Sequence, residues 1–293
     1  MAQQVHNFAD LPAEYANPEH ARVVIVPVPY DGTSTWGKGA DKGPSAIIEA
    51  SAHMELYDIE TDSEVYRYGI FTDSPVQPMK TPDDVAEAVR CRVSDHIRKN
   101  RFVVTIGGEH SISIGSVKAH VESYDDLTVL QLDAHADLRD EYEGFKYNHA
   151  CVMARIRELC PIIQVGIRSM DSCEKPLLDA GRVFLAQDIH NKSDWIEDAV
   201  TELSDNVYIT IDLDVFDAAI MPSTGTPEPG GLAWYDVLAL LKAVCDSKNV
   251  AGFDVTELCP NESNKAPDFL AAKLIYKLLS YRFRGEDAKK GLP

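Results

Sequence analysis

An α/β fold, with a mostly parallel sheet covered by helices on both faces, is what this sequence predicts. Three observations carry that prediction. Short β-branched runs alternate with amphipathic helical stretches along all 293 residues, as in a chain of βαβ units. No internal repeat, low-complexity tract or linker-like shift in composition divides the chain, so residues 1–293 read as a single domain. The unusual polar residues fall just after strands, and ligands in open parallel sheets collect beyond the carboxyl ends of the strands.

The strands expected, in order, are Arg22–Val28, Val65–Phe71, Phe102–Ile106, Leu127–Leu132, Ile162–Gly166, Arg182–Ala186, Val207–Ile211 and Val250–Phe253. Between them, Pro44–Met54 follows a Gly-rich turn, and Thr81–Lys99 opens on Thr-Pro-Asp-Asp, which supplies a cap and an N1 proline. Ser111–Val121, Ala150–Leu159, Asp194–Leu203, Trp234–Cys245 and Ala266–Tyr281 complete the expected helices.

Composition narrows the function. Lys and Arg number 28 against 47 Asp and Glu, a net charge of −19. That argues against nucleic acid or an anionic membrane as partner and is compatible with a small cationic substrate. The start, "MAQQVHNFADLPAEY", lacks a basic region followed by an apolar run. No stretch approaches the roughly 18 apolar residues of a membrane span. A cytoplasmic location is the default expectation. The six cysteines, Cys91, Cys151, Cys160, Cys173, Cys245 and Cys259, show no CxxC spacing and are expected to be reduced. A nucleophilic Cys151 or Cys259 would need a paired base, and none stands at a defined spacing.

Four strand ends carry one kind of chemistry. After Phe102–Ile106 comes "GGEHSIS", where Gly107 and Gly108 free the backbone to turn before Glu109 and His110. A lone histidine there would ordinarily be a hydrogen-bonded structural residue. After Leu127–Leu132 comes "DAHAD". In an extended chain alternate side chains share a face, so Asp133, His135 and Asp137 should point together and Ala134 and Ala136 oppositely. Isolated carboxylates are costly to desolvate, so such a row needs partners. After Val207–Ile211 comes "DLDVFD", in which Asp212 and Asp214 would repel each other unless a cation or a shared proton lies between them. After Val250–Phe253 comes "DVTELCP", with Asp254 and Glu257. Carboxylates mixed with imidazoles suit Mn²⁺ best, and would also accept Fe²⁺, Ni²⁺, Co²⁺ or Zn²⁺. The absence of thiolates argues against structural zinc. Six ligands are too many for one catalytic ion and suit two ions about 3.5–4 Å apart that share carboxylates and generate hydroxide near neutral pH. The chemistry expected is hydrolysis.

With "GGEHS", "DAHAD", "DLDVFD…STGTPEPGG" and "DVTEL" in this order, the chain resembles the ureohydrolase family of arginases and agmatinases over roughly residues 22–280. The resemblance implies a three-layer α/β/α sandwich on a parallel sheet of about eight strands, two Mn²⁺ ions, release of urea from a guanidino group, and a homotrimer or homohexamer. It implies that His110, Asp133, Asp137 and Asp212 hold one ion, and that Asp133, His135, Asp212 and Asp214 hold the other. Asp133 and Asp212 would then bridge, and Asp137 would steady the bridging hydroxide. Glu257 matches the carboxylate that grips the guanidinium, a role suited to a bidentate ion pair. His149 in "YNHACVM" matches the histidine that carries a proton to the leaving amine, although Asn148 stands where relatives often have Ser. Thr226 and Glu228, in the loop lining the family's substrate entrance, are further candidates, and Glu228 follows the agmatinase version. "PYDGTSTWGKGADKGP" is typical of that branch too.

The substrate's far end is read from the loop "LRDEYEGFKYNHA". Asp140, Glu141 and Glu143 against Arg139 and Lys146 disfavour a carboxylate and favour an ammonium. Hydrolysis of agmatine to putrescine and urea, a step of polyamine biosynthesis, is therefore the leading expectation. Arginine, guanidinobutyrate and guanidinopropionate are the alternatives, and a catalytically silent metal-binding paralogue is a third.

Overall fold

The computed structural model describes residues 7–77 and 79–286. Eight strands form one sheet: β1 (Val23–Val28), β2 (Ile70–Thr72), β3 (Phe102–Gly107), β4 (Leu127–Leu132), β5 (Ile162–Ile167), β6 (Val183–Leu185), β7 (Asn206–Asp212) and β8 (Asn249–Thr256). Their order is β2-β1-β3-β8-β7-β4-β5-β6, and every pairing is parallel. β1, β3 and β4 are buried along their whole length, and β7 and β8 at every residue after the first, as a sheet covered on both faces requires.

The helices are α1 (Gly43–Ser51), α2 (Pro82–Ile97), α3 (Ser113–Val121), α4 (Val152–Ile156), α5 (Ala186–Ile189), α6 (Trp195–Thr201), α7 (Trp234–Ser247) and α8 (Ala266–Arg282). On one face α1 packs on α8, α8 on α7 and α7 on α6; on the other α2 packs on α3 and α3 on α4. The result is the expected three-layer α/β/α sandwich. Three apolar clusters fill the spaces between the layers. Helix α2 begins as its sequence dictates: the Thr81 hydroxyl accepts from the Asp84 amide, and Pro82 occupies the first turn. No helix among the described residues is long and apolar enough to cross a membrane.

Differences from the expected elements lie at the edges. The run Val65–Phe71 is a 3-10 turn, Val65–Tyr68, followed by a short edge strand, β2. Gly69 separates them at φ 76, close against Ala21. The run Arg182–Ala186 gives three strand residues before Ala186 opens α5, a helix the sequence reading missed. Ala150–Leu159 shortens to α4. β7 and β8 run on to Asp212 and Thr256, so Asp212 and Asp254 lie in strands and not beyond them.

The topology decides where chemistry can occur. The four strands preceding the motifs, β3, β8, β7 and β4, are consecutive neighbours in the sheet although they are far apart in the chain. Adjacent strands are separated by roughly 4.8 Å, so their four carboxyl ends fall within about 14 Å. β8 is brought into phase by an irregularity at Val207/Tyr208, after which Thr210 pairs with Asp254 and Asp212 with Thr256.

Candidate metal centre

His110 lies at the carboxyl end of β3, in a 3-10 turn (His110–Ile112) that leads into α3. Its Nε2 is 2.9 Å from the Thr210 hydroxyl, which donates to Asp254 Oδ1 at 2.7 Å. Asp254 Oδ2 accepts from the Tyr208 hydroxyl, also at 2.7 Å. With the Thr210 proton committed to Asp254, Thr210 Oγ1 accepts from Nε2–H. The Nδ1 lone pair then faces three carboxylates: Asp133 and Asp137 at 3.1 Å, and Asp212 at 3.5 Å. A hydrogen-bonded histidine aimed in this way is a common device for presenting imidazole to a cation.

On the other side, His135 Nδ1 is 2.9 Å from Asp214 Oδ2 and 3.6 Å from Asp133 Oδ1. His110, Asp133 and Asp212 offer ligand atoms all within 4.8 Å of one another, and so do Asp133, His135 and Asp214. Asp133 belongs to both groups. Asp212 belongs to the first, and its Oδ1 accepts from the Asp214 amide at 2.9 Å. Asp133 is itself held by Gln131 Nε2 at 2.7 Å and by the His135 amide at 2.6 Å. Gln131 accepts in turn from Gln164 Nε2 at 2.6 Å. The Ala134 amide donates to Asp214 Oδ1 at 2.9 Å.

The period-two reading of "DAHAD" is corrected in one respect. β4 ends at Leu132, and the row is not extended strand. Asp137 reaches His110 because its backbone is left-handed, φ 52. Glu257 is left-handed too, φ 68, and non-glycine residues in that region carry strain of about 1–3 kcal/mol. Ala134 and Ala136 are fully buried, as expected of the side away from the cluster.

The electrostatics of the cluster test whether cations fit. Burial, together with Asp214 and Asp133, pushes Asp212 well above the usual carboxylate range. Burial and Asp133 raise Asp137 to about 7, and burial and Glu109 raise Glu257 well up. Burial opposes the imidazolium forms, yet Asp133 and Asp137 hold His110 high, and Asp214 and Asp133 hold His135 at about 12. Five buried or nearly buried carboxylates (Asp133, Asp137, Asp212, Asp214 and Glu257) thus face only two imidazoles. With all five ionised, protonating both rings would still leave three negative charges uncompensated in a site that water solvates poorly, and the raised carboxylates reflect that strain. Two divalent cations on neutral imidazoles leave one, which a cationic substrate group neutralises. The donor set fits a pair of hard cations.

A cavity of about 240 Å³ opens onto the cluster, lined by His110, His135, Asp137, Asp212, Asp214, Glu257, His149 and Thr226 together with Arg139, Tyr142, Trp36 and neighbouring backbone. Glu257 Oε1 accepts from the His110 amide at 2.7 Å, so its carboxylate is fixed beside the first ligand group. His149 is pushed down to about 4 by burial and by the positive charge of His135, His110 and Lys38. It stands there as the neutral ring, not as the near-neutral titrating group its residue type suggests.

Two substrate-side candidates lie elsewhere. Asp140 is exposed, held by Arg155 at 2.5 Å and Lys146 at 3.5 Å, and does not line the cavity. Glu228 faces the outer nitrogen of His135, with Oε1 3.9 Å from Nε2, and also stays off the cavity wall. Arg139 does reach the wall, its guanidinium 4.5 Å from the Tyr142 ring centre. Burial lifts the Cys151 and Cys259 thiols to about 12 and about 11, so neither is a thiolate near neutral pH.

Other participants escaped the sequence reading. Arg168, just past β5, donates to the carbonyls of Asp214 at 2.5 Å, Glu228 at 2.9 Å and Pro229 at 3.1 Å, pinning the 223–231 loop to the ligand turn. Its position at a strand end was a readable signal. Gln131, Gln164 and Thr210 were legible only as polar residues inside buried strands.

A parallel three-layer sandwich that gathers His and Asp ligands at three strand ends, with Glu257 at the adjacent fourth, defines a class, the metal hydrolases of arginase-like fold. The model of the arginase family matches residues 21–280, and the chain belongs to that family. It is a hydrolase of the kind that acts on C–N bonds of linear amidines. The chain is 39% identical to an N(1)-aminopropylagmatine ureohydrolase of Synechocystis sp., over 93% of this chain and 92% of that protein. It is 33% identical to an agmatinase of Pyrococcus horikoshii, over 90% and 93%. The crystal structure of agmatine ureohydrolase of Thermoplasma volcanium superposes with a TM-score of 0.87 at 31% identity, covering 97% of this chain and 96% of that one.

Proposed function

We propose that the chain, acting as a single catalytic domain, hydrolyses the guanidino group of an amine-tailed guanidine and releases urea. The observation that carries this reading is the pair of ligand groups joined at Asp133, with Glu257 fixed beside them on one cavity wall. His110, Asp133, Asp137 and Asp212 would hold one cation, and Asp133, His135, Asp212 and Asp214 the other. Hard carboxylate oxygens with imidazole favour Mn²⁺. A bound pair supplies the Lewis acidity that makes water a nucleophile near neutral pH.

The chain's own residues do the rest. Glu257 accepts the guanidinium N–H groups in a planar ion pair and aims the central carbon at the cluster. Asp137, beside His110, accepts a hydrogen bond from the attacking water and orients it. His149, neutral and on the cavity wall, takes up a proton and returns it to the departing amine. Thr226 contributes a polar group to the wall.

Agmatine is the first substrate proposed. N(1)-aminopropylagmatine is a second reading, favoured by the activity for which the Synechocystis relative is named. Both carry a guanidinium and a cationic tail, which suits a chain of net charge −19. Asp140 does not contribute to this preference, since Arg155 and Lys146 neutralise it. The Mn²⁺-loaded protein should release urea from agmatine or N(1)-aminopropylagmatine with kcat/KM at least about 100-fold above arginine and guanidinobutyrate. Preference for arginine would overturn the substrate class and leave the chemistry standing. A fully metal-loaded protein that releases urea from no guanidine would support the silent paralogue.

A further inference from the structure

One buried carboxylate plays no part in the reaction as described above. Glu109 is fully buried. Its Oε2 accepts from the amides of Thr33 at 2.5 Å and Ser34 at 2.8 Å, and its Oε1 from the hydroxyls of Thr33 at 2.7 Å and Ser111 at 2.6 Å. Four donors converge on the two oxygens, and the single hydroxyl proton of Thr33 is committed to Glu109.

Thr33 Oγ1 therefore has only lone pairs left, and His149 meets it twice. The His149 amide donates to it at 3.0 Å, and ring Nδ1 lies 3.2 Å away. With no second proton on Oγ1, the ring nitrogen has to be the donor. We propose that Thr33, held by Glu109, fixes His149 as the Nδ1–H tautomer and leaves Nε2 as its basic atom toward the cavity. The ring then gains and loses its mobile proton at Nε2, while the Nδ1 proton stays on the ring, donated to Thr33 Oγ1. Thr33 and Glu109 are positioning residues in this arrangement. An imidazole whose orientation and tautomer are set by a partner at the other nitrogen is a better proton carrier than a free one.

The arrangement also explains how the 31–39 loop is seated. The Gly37 amide donates to Gly225 O at 3.1 Å, tying this loop to the 223–231 loop across the cavity mouth, while Glu109 ties it to the end of β3. A merely structural role would stop at that seating. The tautomer is the part that reaches the chemistry.

The proposal rests on the reading of His149 as proton carrier, and one arm of its test does not. In the metal-free protein, ¹⁵N NMR of the histidine side chains should show His149 as the Nδ1–H tautomer in wild type and in Thr33→Ser. Thr33→Val should show a mixture of tautomers; an unchanged Nδ1–H ring in Thr33→Val overturns the proposal. In the Mn²⁺-loaded enzyme Thr33→Val should lower kcat about 10-fold with KM within about 3-fold of wild type, and Thr33→Ser should restore it. In a His149→Ala background Thr33→Val should cost nothing further, because the two act as one unit. Independent, multiplying losses would show that Thr33 only seats the loop, and so would a Thr33→Ser variant as impaired as Thr33→Val. If no guanidine yields urea, the functional reading fails, while the NMR arm still decides the tautomer.

Discussion

Asp133 is where the two halves of the centre meet, and the side chains around it show how the sheet prepares ligands. Gln131 and Gln164 orient it from inside their strands, and Thr210 with Asp254 does the same for His110. Partners of this kind typically account for 10–100-fold in metal affinity. Thr210→Val should weaken Mn²⁺ binding by about that factor, read by titration, with the fold intact by circular dichroism. His149→Ala should keep full metal content and lose about 10²–10⁴-fold in turnover. If His149→Ala lost metal as well, the ring would be a ligand or a structural prop and not a proton carrier.

At the scale of elements, the sheet order makes the site, and close backbone approaches hold the strand ends in place. Gly108 shows this most sharply: a Cβ there would lie 1.9 Å from Tyr30 O, where β1 and β3 run side by side. Gly108→Ala should therefore push the two strand ends apart. It should cost about 1–3 kcal/mol or more in denaturant unfolding and reduce activity with it. The strands and principal helices were legible because buried β-branched runs and helix caps are local signals. The ligand motifs were legible because clustered polar residues after apolar strands are rarely neutral choices. What the sequence did not disclose were relations across distance. Glu109 and Thr33 are 76 residues apart, and nothing local marks Asp137 or Glu257 as left-handed. The acidic excess of its loop suggested that Asp140 contacts the substrate, but Arg155 claims that carboxylate from α4.

For the whole molecule, the decisive quantity is charge. In a net −19 chain that also concentrates carboxylates at one cavity, like charges repel, so bound cations should stabilise the fold. Removing metal with a chelator should lower the melting temperature. Returning Mn²⁺ at about 100 times its dissociation constant should restore roughly 2.7 kcal/mol of stability for each ion bound. Calorimetry with and without chelator checks this, and an unchanged melting temperature would show that the folded site does not bind the ion. The most direct test of the paired centre is the metal content of wild type and Asp133→Ala, measured by mass spectrometry after Mn²⁺ loading and desalting. The arrangement predicts two ions per chain in the wild type and almost none in Asp133→Ala, with urea release lost together with the ions. Equal metal content in the two proteins would contradict a centre joined at Asp133.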